Sequence, residues 1–428
     1  MARPKFPDRI EIRARQLSQL RALVRELDPG NRFYTPRLHQ AGVTPGISSL
    51  EDFSARMPFT TKDELAADHD TNPPYGSNLT YPLSRYTRFN HTSGTTGKLL
   101  RWLDTPESWD WMLYNWELVL SAAGVKRGDR AFFAFNFGPF LGFWTAFGAA
   151  ARTGCLCIPG GGLDTIGRLR AILDSEATVL FCSPTYSIRL GEAARSEGID
   201  LRASRVRRIV VAGEVGGSVP STRALIERLW PGASVFDHHG MTEVGPATLE
   251  CPEQPGVLHL IETSHYAEVL DPARDRHVEP GEVGELILTP LGRLGSPVLR
   301  YRTGDAVRPR WGEPCACGRS DMALEGGILS RVDDMVTVRG VNVYPSAIER
   351  IVRAHEGIVE YRVEIRAEKG MDDLRILIES LPTADPTALA KKLERELRAA
   401  LSMRVPVSVV EPGSLPRFEL KAKRWVRM

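Results

Sequence analysis

The chain has 428 residues, of which 42% are hydrophobic and 25% charged, with a formal net charge of +2. About two or three domains with a large core are expected at this length, and the composition is that of a soluble globular protein. The small net charge gives no reason to expect nucleic acid or an anionic membrane as partner, and the start at Met1-Ala2-Arg3-Pro4-Lys5 lacks the apolar core of a signal peptide.

Taken in chain order, residues 8–28 carry apolar residues at helical spacing and predict a packing helix, followed by a Pro/Gly-rich connection. Thr60-Thr61-Lys62-Asp63-Glu64-Leu65 reads as a helix start. A loop of hydroxyls, glycines and a lysine follows at 91–98, set between two expected strands. From about 106 to 235 helix and strand alternate: helices at 109–123, 140–153, 164–175, 184–198 and 220–229, and strands at 131–137, 156–159, 179–182, 208–212 and 234–236. Such repeated units predict a mostly parallel sheet with helices on its faces. Ligands of such sheets sit at the carboxyl ends of the strands, where Gly213-Glu214 and Asp237-His238-His239-Gly240-Met241 fall. The uncharged stretch 131–151 is broken by Asn136, Gly138 and Pro139, so a buried strand, a loop and a core helix are expected rather than a membrane span.

After about residue 250 short alternating segments rich in Gly and Pro predict a β-rich subdomain over 250–325. From about 334 a compact α+β unit is expected, with strands at 335–339, 361–367, 374–380 and 405–410 and helices at 345–355 and 385–401. The expected class is therefore α/β: a large N-terminal domain (1–332) with mostly parallel sheets and the β-rich subdomain, plus a small mobile α+β C-terminal domain (333–428).

The loop His91-Thr92-Ser93-Gly94-Thr95-Thr96-Gly97-Lys98 offers unhindered backbone N–H groups, rotatable hydroxyl donors and a cation, which is what a polyphosphate needs. It is not a Walker A loop, because only two residues separate Gly94 from Gly97 and Leu99 follows the lysine. It resembles the Thr-Ser-Gly-Thr-Thr-Gly-Lys loop of adenylate-forming enzymes, the superfamily of acyl-CoA synthetases and peptide-synthetase adenylation domains. Four further segments match that superfamily in order. His239-Gly240-Met241-Thr242-Glu243 stands where the superfamily has Tyr-Gly-Met-Thr-Glu. By resemblance Thr242 bonds the α-phosphate, Glu243 holds Mg²⁺, and the ring of His239 takes the place of the aromatic that covers adenine. In Tyr301-Arg302-Thr303-Gly304-Asp305 the resemblance gives Asp305 the ribose hydroxyls. In Leu329-Ser330-Arg331-Val332-Asp333-Asp334 it implies that Arg331 reaches the nucleotide and Asp333 is the hinge, with Gly340 on the loop lining the thioester-forming tunnel. In the tail from Gly413 to Arg424 it implies that Lys421 is the catalytic lysine, with Lys423 as a rival because Glu419-Leu420 depart from the usual pair.

Length and the segment Val341-Asn342-Val343-Tyr344-Pro345 narrow the resemblance to the phenylacetate–coenzyme A ligase branch, whose C-terminal domain is short. Cys251 and His259, seven residues apart in the intervening chain, together with Cys315 and Cys317 provide three thiolates and one imidazole. This is a closed tetrahedral zinc set, and some members of the branch look similar here; core cysteines and a Cys-x-Cys turn account for the same residues. Cys155, Cys157 and Cys182 lie in apolar strands, and a chain of this length without a secretion signal suggests reduced thiols in the cytoplasm. Phe135, Asn136, Phe137 and Gly138 occupy the place of the family's aromatic substrate loop, which suits a flat or apolar acid. The expected activity is ATP-dependent ligation of a carboxylic acid, aryl by preference, to coenzyme A through an acyl adenylate. Loading of an aryl acid onto a carrier-protein pantetheine, or nucleotide binding without catalysis, are the alternatives. The sequence allows a homodimer without specifying one.

Overall fold

The computed structural model describes residues 6–92, 99–332, 336–338, 341–368, 371–401, 403–418 and 422–428. Of the residues singled out above, Ser93 to Lys98, Asp333, Gly340 and Lys421 lie outside these described residues. The chain forms two compact units, one of Met1–Gly162 with Asp237–Gly327, the other of Leu163–Phe236 with Ile328–Met428.

The first unit begins with the helix Arg9–Leu27, entered through a capping box in which Asp8 and Glu11 satisfy each other's backbone N–H groups. Its inner face carries Leu20, Leu23, Val24 and Leu27, all fully buried against Tyr34, Leu38, Leu50 and Phe53. Those partners sit on two further helices, Tyr34–Ala41 and Leu50–Arg56, in the segment expected to be only a connection. Both helices are short, and Ser49 caps the second by accepting from the Asp52 N–H. The helix expected at 109–123 starts earlier, as Pro106–Ala122, because Thr105 caps it and Pro106 fits its first turn.

The strands Arg88–His91 and Arg101–Asp104 pair antiparallel on either side of the glycine loop. Its base is closed by bonds from the Thr92 N–H to the Leu100 carbonyl (3.0 Å) and from the Leu100 N–H to Thr92 Oγ1 (3.2 Å). The strands Arg130–Phe133 and Leu156–Pro159 pair in parallel. The first was expected to run to 137 but ends at Phe133. Beyond it the Phe140 N–H turns back to the Gly138 carbonyl at 2.8 Å, and Asn136 Oδ1 accepts from the Gly162 N–H at 3.1 Å, which takes these residues out of the ladder. The uncharged stretch then continues as the 13-residue helix Leu141–Thr153. Among the described residues no helix is long and apolar enough to cross a membrane. The β-rich region is a six-stranded sheet in which His265–Leu270, Gly284–Pro290 and Tyr301–Arg310 are neighbours, and Thr248–Glu250, Val257–Leu260 and Ala323–Arg331 complete it.

In the second unit Val179–Cys182 and Arg208–Val211 pair in parallel, each followed by a helix, Pro184–Ser196 and Pro220–Leu229. The α+β part has a mixed four-stranded sheet. Ile358–Glu368 and Met371–Ser380 form its antiparallel centre, Val407–Val410 joins in parallel on one side, and Trp425–Arg427 joins in parallel on the other. That last strand lies beyond the 413–424 tail segment and was not expected from the sequence. It is a strand because Trp425 packs on the core formed by Val363, Ile365 and their neighbours.

Candidate active site

Gly240–Met241 and Gly245–Pro246 form a two-residue-per-strand hairpin whose turn carries Thr242 and Glu243. Glycine is required at 240, because a Cβ there would lie 2.8 Å from the Gly245 carbonyl oxygen. Glu243 is buried, and its Oε1 accepts from the Tyr301 hydroxyl at 3.2 Å. Asp305 is also buried; its N–H donates to Thr303 Oγ1 at 3.0 Å, and Gly304 before it adopts φ +72°. His239 Nε2 lies 3.1 Å from Asp305 Oδ2. The structure thus brings Thr242, Glu243, His239 and Asp305 together through one hairpin and one strand. It places His239 against the carboxylate assigned to ribose, a contact the sequence did not suggest. Tyr301 belongs to a recognised segment, yet its hydroxyl carried no expected role. Arg293, which donates to the Thr242 carbonyl, belongs to no motif at all.

Asp237 and His238 serve the frame of this hairpin. His238 is buried, donates through Nδ1–H to the Thr248 carbonyl at 2.7 Å, and packs on Trp116 with ring centres 4.2 Å apart. Burial holds its imidazole down at about 3, so it is neutral. The Asp237 carboxylate accepts from the His238 N–H at 2.9 Å.

The aromatic loop lies in the same unit. Phe135 stacks on Phe143 with centres 4.0 Å apart, while Phe137 meets Trp144 at 4.8 Å and Phe147 at 5.4 Å. Gly138 is fixed by the Trp144 indole N–H, which donates to its carbonyl at 2.8 Å. The carbonyl of Pro139 accepts from the His91 N–H at 2.8 Å, so this loop is tied to the first residue of the glycine loop. Asn136 is exposed beside the rings.

In the second unit Gly213 has φ +96° at the end of its strand. The neighbouring Glu214 carboxylate accepts from the Thr185 N–H at 2.9 Å and from the Ala422 N–H at 2.7 Å. Ala422 directly follows Lys421 in the chain. Arg331 ends the strand Ala323–Arg331.

A second constellation is complete among the described residues. Cys251, His259, Cys315 and Cys317 are all buried, and their donor atoms lie within 4.8 Å of one another. Cys251 Sγ is 3.6 Å from Cys315 Sγ, and Cys317 Sγ is 3.4 Å from His259 Nε2. Tetrahedral zinc with bonds of about 2.0–2.3 Å would set its ligand atoms about 3.3–3.8 Å apart, and these two distances fall in that range. Burial holds His259 down at about 4, which leaves its lone pair free to coordinate, and pushes the Cys251 thiol up to about 12.

Comparison with known proteins gives the family of the chain. The family described as "AMP-binding enzyme" matches residues 79–290, and "AMP-binding enzyme C-terminal domain" matches 340–427. The chain is 31% identical to the phenylacetate-coenzyme A ligase of Thermus thermophilus, over 96% of this chain and 95% of that one. With the ligase of the same name from Escherichia coli it shares 30%, over 97% and 94%. Its fold is similar to that of 2-hydroxyisobutyryl-CoA ligase in the postadenylation state, with a TM-score of 0.93 and 27% identity over 99% of this chain and 91% of that one. The chain belongs to the adenylate-forming enzymes, and within them to the AMP-forming acid–thiol ligases of the phenylacetate–coenzyme A ligase branch.

Proposed function

We propose that this enzyme activates a compact aryl or apolar carboxylic acid with ATP and transfers the acyl group to coenzyme A. In the first half-reaction a carboxylate oxygen of the acid attacks the α-phosphorus, a new P–O bond forms, and the bond to pyrophosphate breaks. Thr242 donates its hydroxyl to the α-phosphate, and the Lys421 ammonium offsets charge between the two reactants. Asp305 accepts from the ribose hydroxyls, and His239 orients that carboxylate. The resemblance assigns nucleotide contacts also to Arg331, Gly213, Glu214 and the glycine loop from Thr92 to Lys98. Magnesium, when bound at Glu243, supplies charge neutralisation for the phosphates. In the second half-reaction the coenzyme A sulfur attacks the acyl carbon, its proton leaves to solvent, and AMP departs. Residues 1–332 act as the adenylation core and 333–428 as a C-terminal domain that pivots at Asp333, with Gly340 meeting the pantetheine.

The observation that carries this reading is the hairpin that sets Thr242 and Glu243 beside the His239–Asp305 pair. The rings of Phe135, Phe137, Phe143 and Trp144 favour a flat or apolar acid. We assign a structural zinc to Cys251, His259, Cys315 and Cys317. The six free cysteines favour a reducing, cytoplasmic setting.

The test is pyrophosphate release with ATP and magnesium across a panel of aryl and small aliphatic acids, with and without coenzyme A. Acid-dependent release with an acyl-CoA product is expected. Release that a carrier-protein pantetheine completes and coenzyme A does not would overturn the acceptor assignment.

A further inference from the structure

Beneath the catalytic hairpin lies a buried ion pair that none of the recognised segments contains. Asp104 ends the strand Arg101–Asp104, which leads out of the glycine loop. Arg293 stands 189 residues further on, yet its Nε and Nη2 donate to Asp104 Oδ1 and Oδ2, each at 2.7 Å. Neither side chain has any exposed surface. The remaining Nη1 donates to the carbonyl oxygen of Thr242. The Trp102 ring covers the guanidinium, 5.2 Å from Cζ.

The backbone around Arg293 is fixed to the same strand and to the helix that follows it. The Gly295 N–H donates to Ser108 Oγ at 3.1 Å, and Ser296 Oγ donates to the Leu103 carbonyl at 2.7 Å. A Cβ on Gly292 would lie 2.3 Å from Trp111 Cδ1, so only glycine lets the chain pass here. A guanidinium held at both ends of its fork has no rotational freedom left. Its third donor therefore sets the direction of the Thr242 carbonyl. That direction sets the peptide plane joining Thr242 to Glu243, and the Tyr301 hydroxyl donates to the Glu243 carboxylate.

We infer that Arg293, held by Asp104, is a positioning residue for adenylation. It sets the pose of Thr242 and Glu243 and ties their turn to the strand leaving the glycine loop, so that the two phosphate-handling segments share one frame. The inference rests on the roles given to Thr242 and Glu243 above.

The test uses two full-length variants, Arg293→Lys and the double variant Asp104→Leu/Arg293→Met. A lysine keeps the charge but cannot span both carboxylate oxygens and the carbonyl. The double variant leaves no unpaired buried ion, so it keeps the fold while removing the donor to Thr242. Thermal midpoints are measured first. Acid-dependent pyrophosphate release is then resolved into kcat and the KM for ATP, beside thioester formation from supplied acyl adenylate. Adenylation kcat should fall at least about tenfold in both variants, as expected for a misplaced catalytic group. The KM for ATP should change less than about threefold and thioester formation should be spared. Wild-type adenylation in a folded double variant would overturn the inference, as would both half-reactions falling together with the folded fraction. Should the double variant not fold, Arg293→Lys decides by the same ratio. Wild-type enzyme run alongside reports on the functional reading itself. No release from it with any acid would remove the role of Thr242, and this inference with it.

Discussion

Two buried polar clusters in this molecule answer opposite problems. In the first unit Cys251, His259, Cys315 and Cys317 point donor atoms of one kind at a common centre. In the second unit Glu349, Arg353, Glu360, Tyr361 and Arg424 form a cluster of opposite charges. Arg424 Nε donates to Glu360 Oε1 at 2.8 Å, Arg353 bridges Glu349 and Glu360 at 3.3 Å each, and the Tyr361 hydroxyl donates to Glu349. Burial pushes both carboxyls up, but the guanidinium groups of Arg353 and Arg424 outweigh it and hold them below their ordinary value of 4.5. The ionic cluster is complete in itself. The thiol–imidazole cluster gathers electron-pair donors with no opposite charge among its four members, a pattern that suits a tetrahedral metal ion. Convergence of like donors asks for an ion, whereas convergence of opposite charges does not.

The strongest way to break that contrast is to ask whether the thiol–imidazole cluster holds a metal. Purified protein should carry one zinc per chain by elemental analysis. Cys251→Ser, or a strong chelator on the wild type, should cost more than about 3 kcal/mol of unfolding free energy. Protein isolated without zinc, and unmoved by chelator, would return these residues to ordinary core packing.

The ionic cluster should respond to the loss of one partner almost as strongly. Arg424→Met leaves Glu360 buried beside a single guanidinium and should cost about 3–5 kcal/mol. Replacing both, as Glu360→Leu/Arg424→Met, should recover most of that loss in denaturant unfolding. A double variant as unstable as the single one would mean that packing, not charge, sets the cost.

Acid should separate the clusters further. The folded-state values of Glu349 and Glu360 lie below 4.5, so their contribution is present above that pH and is lost as pH falls through the lower folded values. Urea midpoints measured from pH 6 down to pH 3.5 should therefore drop more steeply in wild type than in the Glu360→Leu/Arg424→Met variant. Parallel curves would contradict the assignment.

The smallest effect concerns two threonines at the rim. Thr222 Oγ1 donates to Glu349 at 3.3 Å, and Thr185 Oγ1 accepts from Arg424 at 3.3 Å. Thr222→Val and Thr185→Val should each cost about 1 kcal/mol. A larger loss at either would show that the cluster depends on the helices Pro184–Ser196 and Pro220–Leu229 more than on its own charges.

Much of this was legible from the chain alone, and the exceptions share a cause. The alternating pattern from 106 to 235 and the Thr242–Glu243 segment are local, so spacing and residue type disclosed them. The four thiol and imidazole residues were legible by type, and the fold brings their donor atoms within 4.8 Å of one another. The strand Trp425–Arg427 was not, because three residues carry no period and their pairing with Ile358–Glu368 is long-range. The expected strand 131–137 overran because Phe135 and Phe137 look like strand residues, whereas the turn at Gly138 aims them at Phe143 and Trp144.

By itself, then, the sequence determined the class of the enzyme and which four thiol and imidazole groups the fold would gather, since these depend on which groups occur in which order. Tertiary structure alone decided that His239 faces Asp305, that Arg293 reaches from Asp104 to the Thr242 carbonyl, and that Arg424 lies buried between Glu360 and Thr185. Buried polar groups must find partners wherever the fold brings one within reach, and that distance is written in the packing rather than in the spacing along the chain.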